Sequence, residues 1–582
     1  MDNMKTQDSN IYQVLDKPDH VYEIPNYQRS YNWSTKNTDE FLADLETCKD
    51  KGEQHFFGCL VLNAGFDTTQ IIDGQQRITA SLLMIIAIFH LAEENKSLSS
   101  EDPSYISEKF LANRHKTENY RLKLRVSTAD AEVFEKIYDN ALNTEIKNTN
   151  LYRSYKYFKT EFQKKIQQDG DIDLYLYIKA LSKFIISVIL IEKDDDPQRI
   201  FESINAKGMV LGDGDRIRNC ALMLSDSKLS EHIWKKYWKK IDGELVDIYN
   251  ERDDTTEFFK FFCINFSKSA ISNQQIYSKF KDIYNNNLPK PLDQQKVGKF
   301  YSQIMRELNR YVFLKYNKDE TGVFKDFEKS AVKLNALNVQ LLKPFLMKVL
   351  ECFQDKKLSA RNVLDIFGIT ESYLVRRIIL GKSTASLDRF FYIMHQKIEN
   401  RDEKNSYVDR YKSILLEADE NDQKWFPNNH KVEEAILNQG FYDRIATKTQ
   451  RFILLVCNDS IQPKESQFLS DLNERTPSIE HIMPQEISAS KEWQEDLGQD
   501  WRKIHEEYCH RLCNLTLTGE NSKYGNKSFN EKLNMENGFK QSSLNLNKFV
   551  ADQTVWNKEV MDQRAKWWCE KINQIWSYPN NH

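Results

Sequence analysis

The stretch Ile71-Ile72-Asp73-Gly74-Gln75-Gln76-Arg77-Ile78-Thr79 marks the place where a strand gives way to a helix. Two β-branched apolar residues precede an Asp-Gly pair, and from Ile78 onward Leu82, Ile85 and Phe89 recur at helical spacing. Upstream, His55–Asn63 (HFFGCLVLN) is a short apolar run and Thr69–Ile72 a second, shorter one. A loop containing Gly and Asp separates the two runs, which predicts a β-hairpin leading into the helix. Phe184–Ile191 (FIISVILI) reads as the clearest buried strand, and from about Ser230 to Glu420 the pattern is mostly helical. The prediction is an α+β chain, predominantly helical. A small α/β domain would occupy residues 1–230, a helical connecting domain 231–425, and a domain rich in Asn and Trp 426–582.

The chain of 582 residues is too long for one hydrophobic core, so several domains are expected. With 40% hydrophobic and 29% charged residues it has globular composition, which argues against wholesale disorder. Scarce Gly (18) and Pro (12) disfavour collagen-like and turn-dense all-β folds. The net charge of −4 announces no nucleic-acid partner, so any such surface must be local. Residues Met1–Asp19 are polar and carry no secretory apolar segment. Ile78–Ala92, the longest apolar stretch, is interrupted by Thr79, Ser81 and His90 and is short for a bilayer, so no membrane partner is expected. Nine scattered cysteines do not resemble a disulfide framework, which predicts a reducing cytoplasm. The only tight group, His505, Cys509, His510 and Cys513, lacks a second CxxC arm and reads as helix-packed thiols ahead of a zinc site.

At the strand-to-helix junction, free backbone N–H groups and a partial positive charge suit a phosphate. Gly74 permits a close turn, and Arg77 can contact a phosphate in bidentate fashion. Asp73 can hold Mg²⁺ or simply cap the helix, and Gln75 and Gln76 can orient a water or a base edge. A second block, Ile24–Trp33 (IPNYQRSYNW), and a third, Ile200–Asn219 (IFESINAKGMVLGDGDRIRN), accompany it. The third contains Asn205, Gly208, Asp215 and Arg218, expected near the same pocket.

The densest motif lies near the C-terminus. Ser478–Pro484 (SIEHIMP) is followed 33 residues after His481 by Asn514, in HRLCNLTLT, with Asn521 seven further on and Asn526 another five. A phosphodiester hydrolase needs a base for water and a cation for phosphate charge. Neutral His serves as the base near pH 7, and carboxylate and amide oxygens suit Mg²⁺ or Mn²⁺. An acid-His pair closing one strand, an Asn-bearing second strand and an Asn opening a helix have the layout of a ββα-metal finger.

These residues resemble the HNH, or His-Me finger, nucleases, and more narrowly the C-terminal domain of GmrSD-type modification-dependent restriction enzymes. The matching blocks are Glu480–Gln485, His510–Thr518, Asn521–Phe529 and a late Trp556…Arg564. The resemblance implies His481 as general base, Glu480 and Asn521 as metal ligands, and Asn514 as the residue that holds the loop and His481 in place. Cys513 stands where the family usually has Gly. YQRSYNW with DGQQRIT resembles the same family's N-terminal domain, related to the ParB/sulfiredoxin fold. There the DGQQR motif is tied to nucleotide binding and hydrolysis, which implies an NTP (GTP, ATP or UTP) held by Tyr27, Gln28, Arg29, Asp73, Gly74, Gln75, Gln76 and Arg77.

Other signals are weaker. Gly381-Lys382-Ser383-Thr384 ends like a Walker A motif, but the required Gly is Arg376. Arg376 and Arg377 are expected as a basic surface feature. Leu111–Ser127 and Tyr152–Lys165 are locally basic, fit for phosphate tracking or a solvated helix face. Asp194–Asp196 reads as a solvated turn. The expectation is an NTP-regulated, modification-dependent DNA endonuclease of anti-phage restriction. It would use Mg²⁺ or Mn²⁺, act on modified phage DNA and be able to form a homo-oligomer. An NTP-responsive DNA-binding or signalling protein with a structural finger, and an RNA-cleaving toxin, are the alternatives. The sequence leaves open the modification sensed, the nucleotide preferred and whether one or both strands are cut.

Overall fold

The structure is a computed structural model. It describes residues 5–26, 28–64, 68–113, 121–191, 212–222, 227–247, 250, 252–288, 294–337, 340–383, 387–462, 477–519 and 521–579. Tyr27, Asn205, Gly208 and Asp194–Asp196 lie outside the described residues. The chain is mostly helical with small sheets, as the α+β reading requires. It divides into two compact units, Met1–Cys263 with Ser272–Met305, and Ile264–Ile271 with Arg306–His582. The helical stretch expected as a separate connecting domain is therefore shared between the two.

The first unit is built on a six-stranded mixed sheet. Its strands are β1 (Lys5–Asn10), β2 (Tyr22–Glu23), β3 (His55–Ala64), β4 (Thr69–Asp73), β5 (Leu124–Arg125) and β6 (Phe184–Ile191), in the order β1-β6-β3-β4-β2-β5. The β3–β4 pair is antiparallel, the expected hairpin, while β3 runs parallel to β6. A further small hairpin pairs β7 (Val246–Asp247) with β8 (Arg252–Asp253). The helix Gln75–Glu94 follows β4 directly and packs against the helix Asn150–Gln168. Ile78, Leu82, Ile85 and Phe89 are all buried, and so is nearly every other residue up to Ala92. A helix that is apolar all round belongs inside a core or a bilayer. This one has the length and hydropathy to cross a membrane, but its apolar stretch is enclosed by protein.

Several described residues of the basic segments spend their charge within the fold. On Asn150–Gln168, Tyr155, Phe158 and Phe162 face the core, while Lys159 and Lys165 pair with Glu94 and Glu46 at 2.7 and 2.5 Å. Arg121 forms a two-pronged pair with Asp139, and buried Lys123 donates to the carbonyls of Lys17 and Lys109. Tyr155, Phe158 and Phe162, interleaved with these lysines, are thus core, and Tyr152 and Tyr157 are half-buried against it.

In the second unit, two short strands, β9 (Ser478–His481) and β10 (Leu515–Thr518), pair antiparallel, with Leu515 opposite His481 and Thr516 opposite Glu480. The helix Ala360–Ile379 carries Arg376 and Arg377, which are buried rather than on the surface. Arg376 donates to the Trp576 and Pro427 carbonyls and to the side chains of Asn429 and Asn573. Arg377 donates to the carbonyls of Trp425 and Ser383. A buried guanidinium needs partners for its donors, and these long side chains find most of them on backbone and amide groups of other segments, Arg377 Nε alone having none among the described residues. The GKS stretch accordingly follows a helix end and does not follow a strand.

Gly74 joins β4 to the core helix with φ +98°. A Cβ there would stand 2.8 Å from Leu60 Cδ1 and 3.3 Å from the Cys59 carbonyl oxygen. Gly74→Ala is expected to destabilise the first unit by about 1–3 kcal/mol, through backbone strain and overlap with β3. Denaturant unfolding would read this as a lowered midpoint, and an unchanged midpoint would contradict the strained-turn account.

Candidate functional site

Two constellations were expected, one in each unit. In the first, the blocks around Gln28 and Asp73 do come together. Gln28 donates from Nε2 to the Ile72 carbonyl at 2.7 Å. The Asn32 N–H donates to Gln76 Oε1 at 2.9 Å, and Gln76 Nε2 reaches the Ser30 carbonyl at 3.4 Å. Arg77 Nη1 donates to the carbonyls of Phe57 (3.3 Å) and Cys59 (2.5 Å), and Nη2 lies 3.8 Å from Asp73. Gly58, at φ +100° beside a register shift in β3, makes this possible, since a Cβ there would meet the guanidinium at 2.8 Å. Burial raises the Asp73 carboxyl, opposed by Arg77, the Gly74 N–H and Arg29. Gln75 is buried at the helix start with Oε1 unpartnered. Much of the motif's polar capacity is therefore used to lock strand, turn and helix together.

Beside this lock lies a cavity of about 620 Å³. Gln28 and Arg29 line it, with Asp130, Arg218, Lys239 and Arg252, whereas Asp73 to Arg77 are not on its wall. Asp215 and Arg218 of the third block border it, Asp215 lying 4.0 Å from Arg29. Buried Arg218 is held by Asp242 through Nη2 (2.8 Å) and Nε (3.2 Å). Asp130 accepts from the Tyr31 N–H at 2.7 Å, and burial pushes its carboxyl up to about 7. Trp234 and Lys239, beside the β7–β8 hairpin, complete the wall together with residues no motif announced.

In the second unit, His481 ends β9 and is buried. Its Nε2 faces His510 Nδ1 at 3.3 Å, its Nδ1 is 3.4 Å from Gln485 Nε2, and Tyr442 packs edge-on at 4.4 Å. Burial, reinforced by His510, Lys532 and His505, lowers the His481 pKa from 6.5 to about 4. The imidazole is therefore neutral at pH 7 and carries a lone pair able to accept a proton. With the Gln485 amide turned so that its oxygen accepts from Nδ1–H, that lone pair sits on Nε2.

Asn514 is fully buried and uses its whole amide. Oδ1 accepts from the Met483 N–H (2.8 Å) and the Trp556 indole N–H (3.1 Å). Nδ2 donates to the carbonyls of Met483 and Cys509, both at 2.9 Å. The Asn514 carbonyl accepts from the Ile482 N–H at 2.9 Å. Arg564, also fully buried, donates to the Cys513 carbonyl at 2.8 Å, so Trp556 and Arg564 act as a second layer around the same turn.

Glu480 points elsewhere. Its carboxylate pairs with Lys532 Nζ at 2.6 Å, and the same ammonium donates to the His481 carbonyl at 2.8 Å. Burial raises the Glu480 carboxyl, and Lys532 opposes the shift. Asn521 opens the helix Asn521–Tyr524 as anticipated, but its side chain is not among those described. A hard Mg²⁺ site built on Glu480 does not fit this arrangement, because the oxygen donor is already held by an ammonium. The metal-capable donors that do gather are His481, Cys509 and His510. His505 instead directs Nε2 to the Pro484 carbonyl at 2.9 Å. Tyr442 and Lys532 are members of this site that the motif reading missed, and His510, which it quoted beside Cys509, was given no role there. Lys532 follows Glu480 by more than 50 residues, with no spacing to betray the pair.

A family model described as GmrSD restriction endonuclease, N-terminal domain, matches residues 11–223. A second, GmrSD restriction endonucleases, C-terminal domain, matches residues 426–571. No curated protein matches the chain.

The buried Glu480–Lys532 pair makes a sharp stability prediction. Lys532→Met alone is expected to cost about 3–5 kcal/mol, because it strands a buried carboxylate. Pairing it with Glu480→Gln should recover most of that loss in chemical denaturation. A single variant as stable as the parent would show that the pair is not the anchor of β9.

Proposed function

The chain belongs to the GmrSD restriction endonuclease family, which makes it a restriction endonuclease with DNA as its substrate, and we propose that it cuts modified phage DNA in the cytoplasm under the control of a bound NTP. The observation that carries the cleavage reading is His481. It is a neutral imidazole at a strand end, with its ring edge-on to both Tyr442 and His510 and the turn that follows it braced by Asn514. In this reading His481 takes a proton from the water that attacks the scissile phosphate. Asn514 acts through the backbone: it fixes the turn after β9, so the ring meets the phosphate without reorganisation. Of the two ligands the resemblance implies for a hard divalent cation, Glu480 is held by Lys532, and the group that supports this step is the imidazole.

The nucleotide reading is supported by the cavity in the first unit. Its volume of about 620 Å³ is of the size small-molecule sites have. Arg29 and Lys239 on its wall offer charge for phosphates, and Trp234 offers a flat face for a base. The DGQQR motif acts one step behind: Gln76 holds the Ser30–Asn32 segment that leads along the wall, and Ile72, just before the motif, holds Gln28.

The two activities should separate by mutation. His481→Ala is expected to reduce DNA cleavage by at least about 10³-fold while leaving NTP hydrolysis intact. Asp73→Ala or Arg77→Ala should impair hydrolysis and uncouple cleavage from the nucleotide. The assay is digestion of a panel of modified phage genomes, with and without GTP, ATP or UTP. Normal cleavage by His481→Ala would overturn the assignment.

A further inference from the structure

Cys509 and His510 have no part in the hydrolytic step above, yet they crowd its base. One donor atom from each of His481, Cys509 and His510 lies within 4.8 Å of the others. The two imidazole nitrogens already face each other at 3.3 Å. In a tetrahedral zinc site, bonds of about 2.0–2.3 Å place neighbouring donors roughly 3.3–3.6 Å apart. The imidazole pair meets that spacing as it stands, and the thiol needs to close by about 1 Å.

The scaffold that carries the three donors is rigid. Asn514 Nδ2 holds the Met483 and Cys509 carbonyls together, pinning the turn after His481 to the turn that bears Cys509. The Pro484 carbonyl receives both His505 Nε2 and the Cys509 thiol, and the His510 carbonyl accepts from the N–H groups of Phe441 and Tyr442. Backbone support of this kind keeps metal ligands in register. The donor chemistry is soft, two imidazoles and a sulfur, and selects zinc-like ions over Mg²⁺.

We propose that His481, Cys509 and His510 form a transition-metal site that binds Zn²⁺ or Co²⁺ and, by occupying the His481 lone pair, switches the nuclease off. Binding balances simply. The proton shared between His481 Nε2 and His510 Nδ1 moves to the far nitrogen of its own ring, the thiol proton of Cys509 leaves to solvent, and three metal bonds form. One proton is released per ion, and the fourth position stays open to water. The inhibitory consequence rests on the nuclease reading above; the binding itself does not.

The test is Co²⁺ titration of the full-length protein, read by the thiolate-to-cobalt charge-transfer absorption in the near ultraviolet. One equivalent should produce the band, excess Mg²⁺ should leave it, and Zn²⁺ should bleach it. Cys509→Ala should abolish the band, while Cys513→Ala, which alters a neighbouring buried thiol, should retain it. His510→Gln serves as a second variant in case Cys509→Ala fails to fold by circular dichroism, and it should weaken Co²⁺ binding at least about tenfold. No band in the parent, or a band that survives Cys509→Ala, would overturn the site. In cleavage assays, Zn²⁺ should inhibit the parent, and Cys509→Ala should need at least about tenfold more Zn²⁺. A cobalt band in a protein that cleaves no DNA would leave the metal site standing and remove the nuclease reading instead.

Discussion

The second unit turns on one buried amide. Asn514 makes four side-chain hydrogen bonds with no exposure to water, and its partners come from the turn after β9, the Cys509 turn and Trp556. A buried amide that loses a partner forfeits more than the bond is worth, because the orphaned group has no solvent to turn to. The geometry is therefore all-or-none. With it in place, His481 is presented at a strand end, His510 stands opposite, and Arg564 and Trp556 close the layer behind. Lys532 adds a second clamp from the other side through Glu480 and the His481 carbonyl.

The first unit uses side chains in the same way. Arg77 latches onto the carbonyls flanking Gly58, and Gln28 and Gln76 stitch the loop after β2 to the turn after β4. Arg77 and Gln76 shape the cavity wall from behind, while Gln28 is part of it. Arg29, Asp130, Arg218, Lys239 and Arg252 reach the cavity from segments more than 200 residues apart in sequence. In both units the motif residues brace a neighbouring cavity or imidazole, and the groups around it include ones that only folding supplies.

That division explains what was legible in the sequence. The hairpin, the core helix from Gln75 and the strand Phe184–Ile191 were readable because each is a continuous apolar run, although β6 buries only alternate residues and Phe56 of β3 is exposed. β1 was not: KTQDSN is polar throughout, and it is a strand only because it pairs with β6 at the sheet edge. β2 and β5 are two residues long, too short to leave a period. Arg376 and Arg377 looked like a basic surface because charge in sequence says nothing of burial, yet carbonyls from distant segments enclose them. After β9, Asn514 bonds the turn that follows His481, while the Lys532 partner of Glu480 depends on a contact 52 residues away.

The account's central claim is that a neutral, buried His481 is the base for DNA hydrolysis. The measurement that tests it most directly is the pH dependence of single-turnover DNA cleavage. The base works when unprotonated, and burial with the neighbouring cationic and imidazole groups lowers its pKa to about 4. The rate should therefore show no acid limb between about pH 8 and 5, and should fall only as the pH drops through about 4. An acid limb centred near or above 6.5, the value of an ordinary exposed imidazole, would contradict the claim.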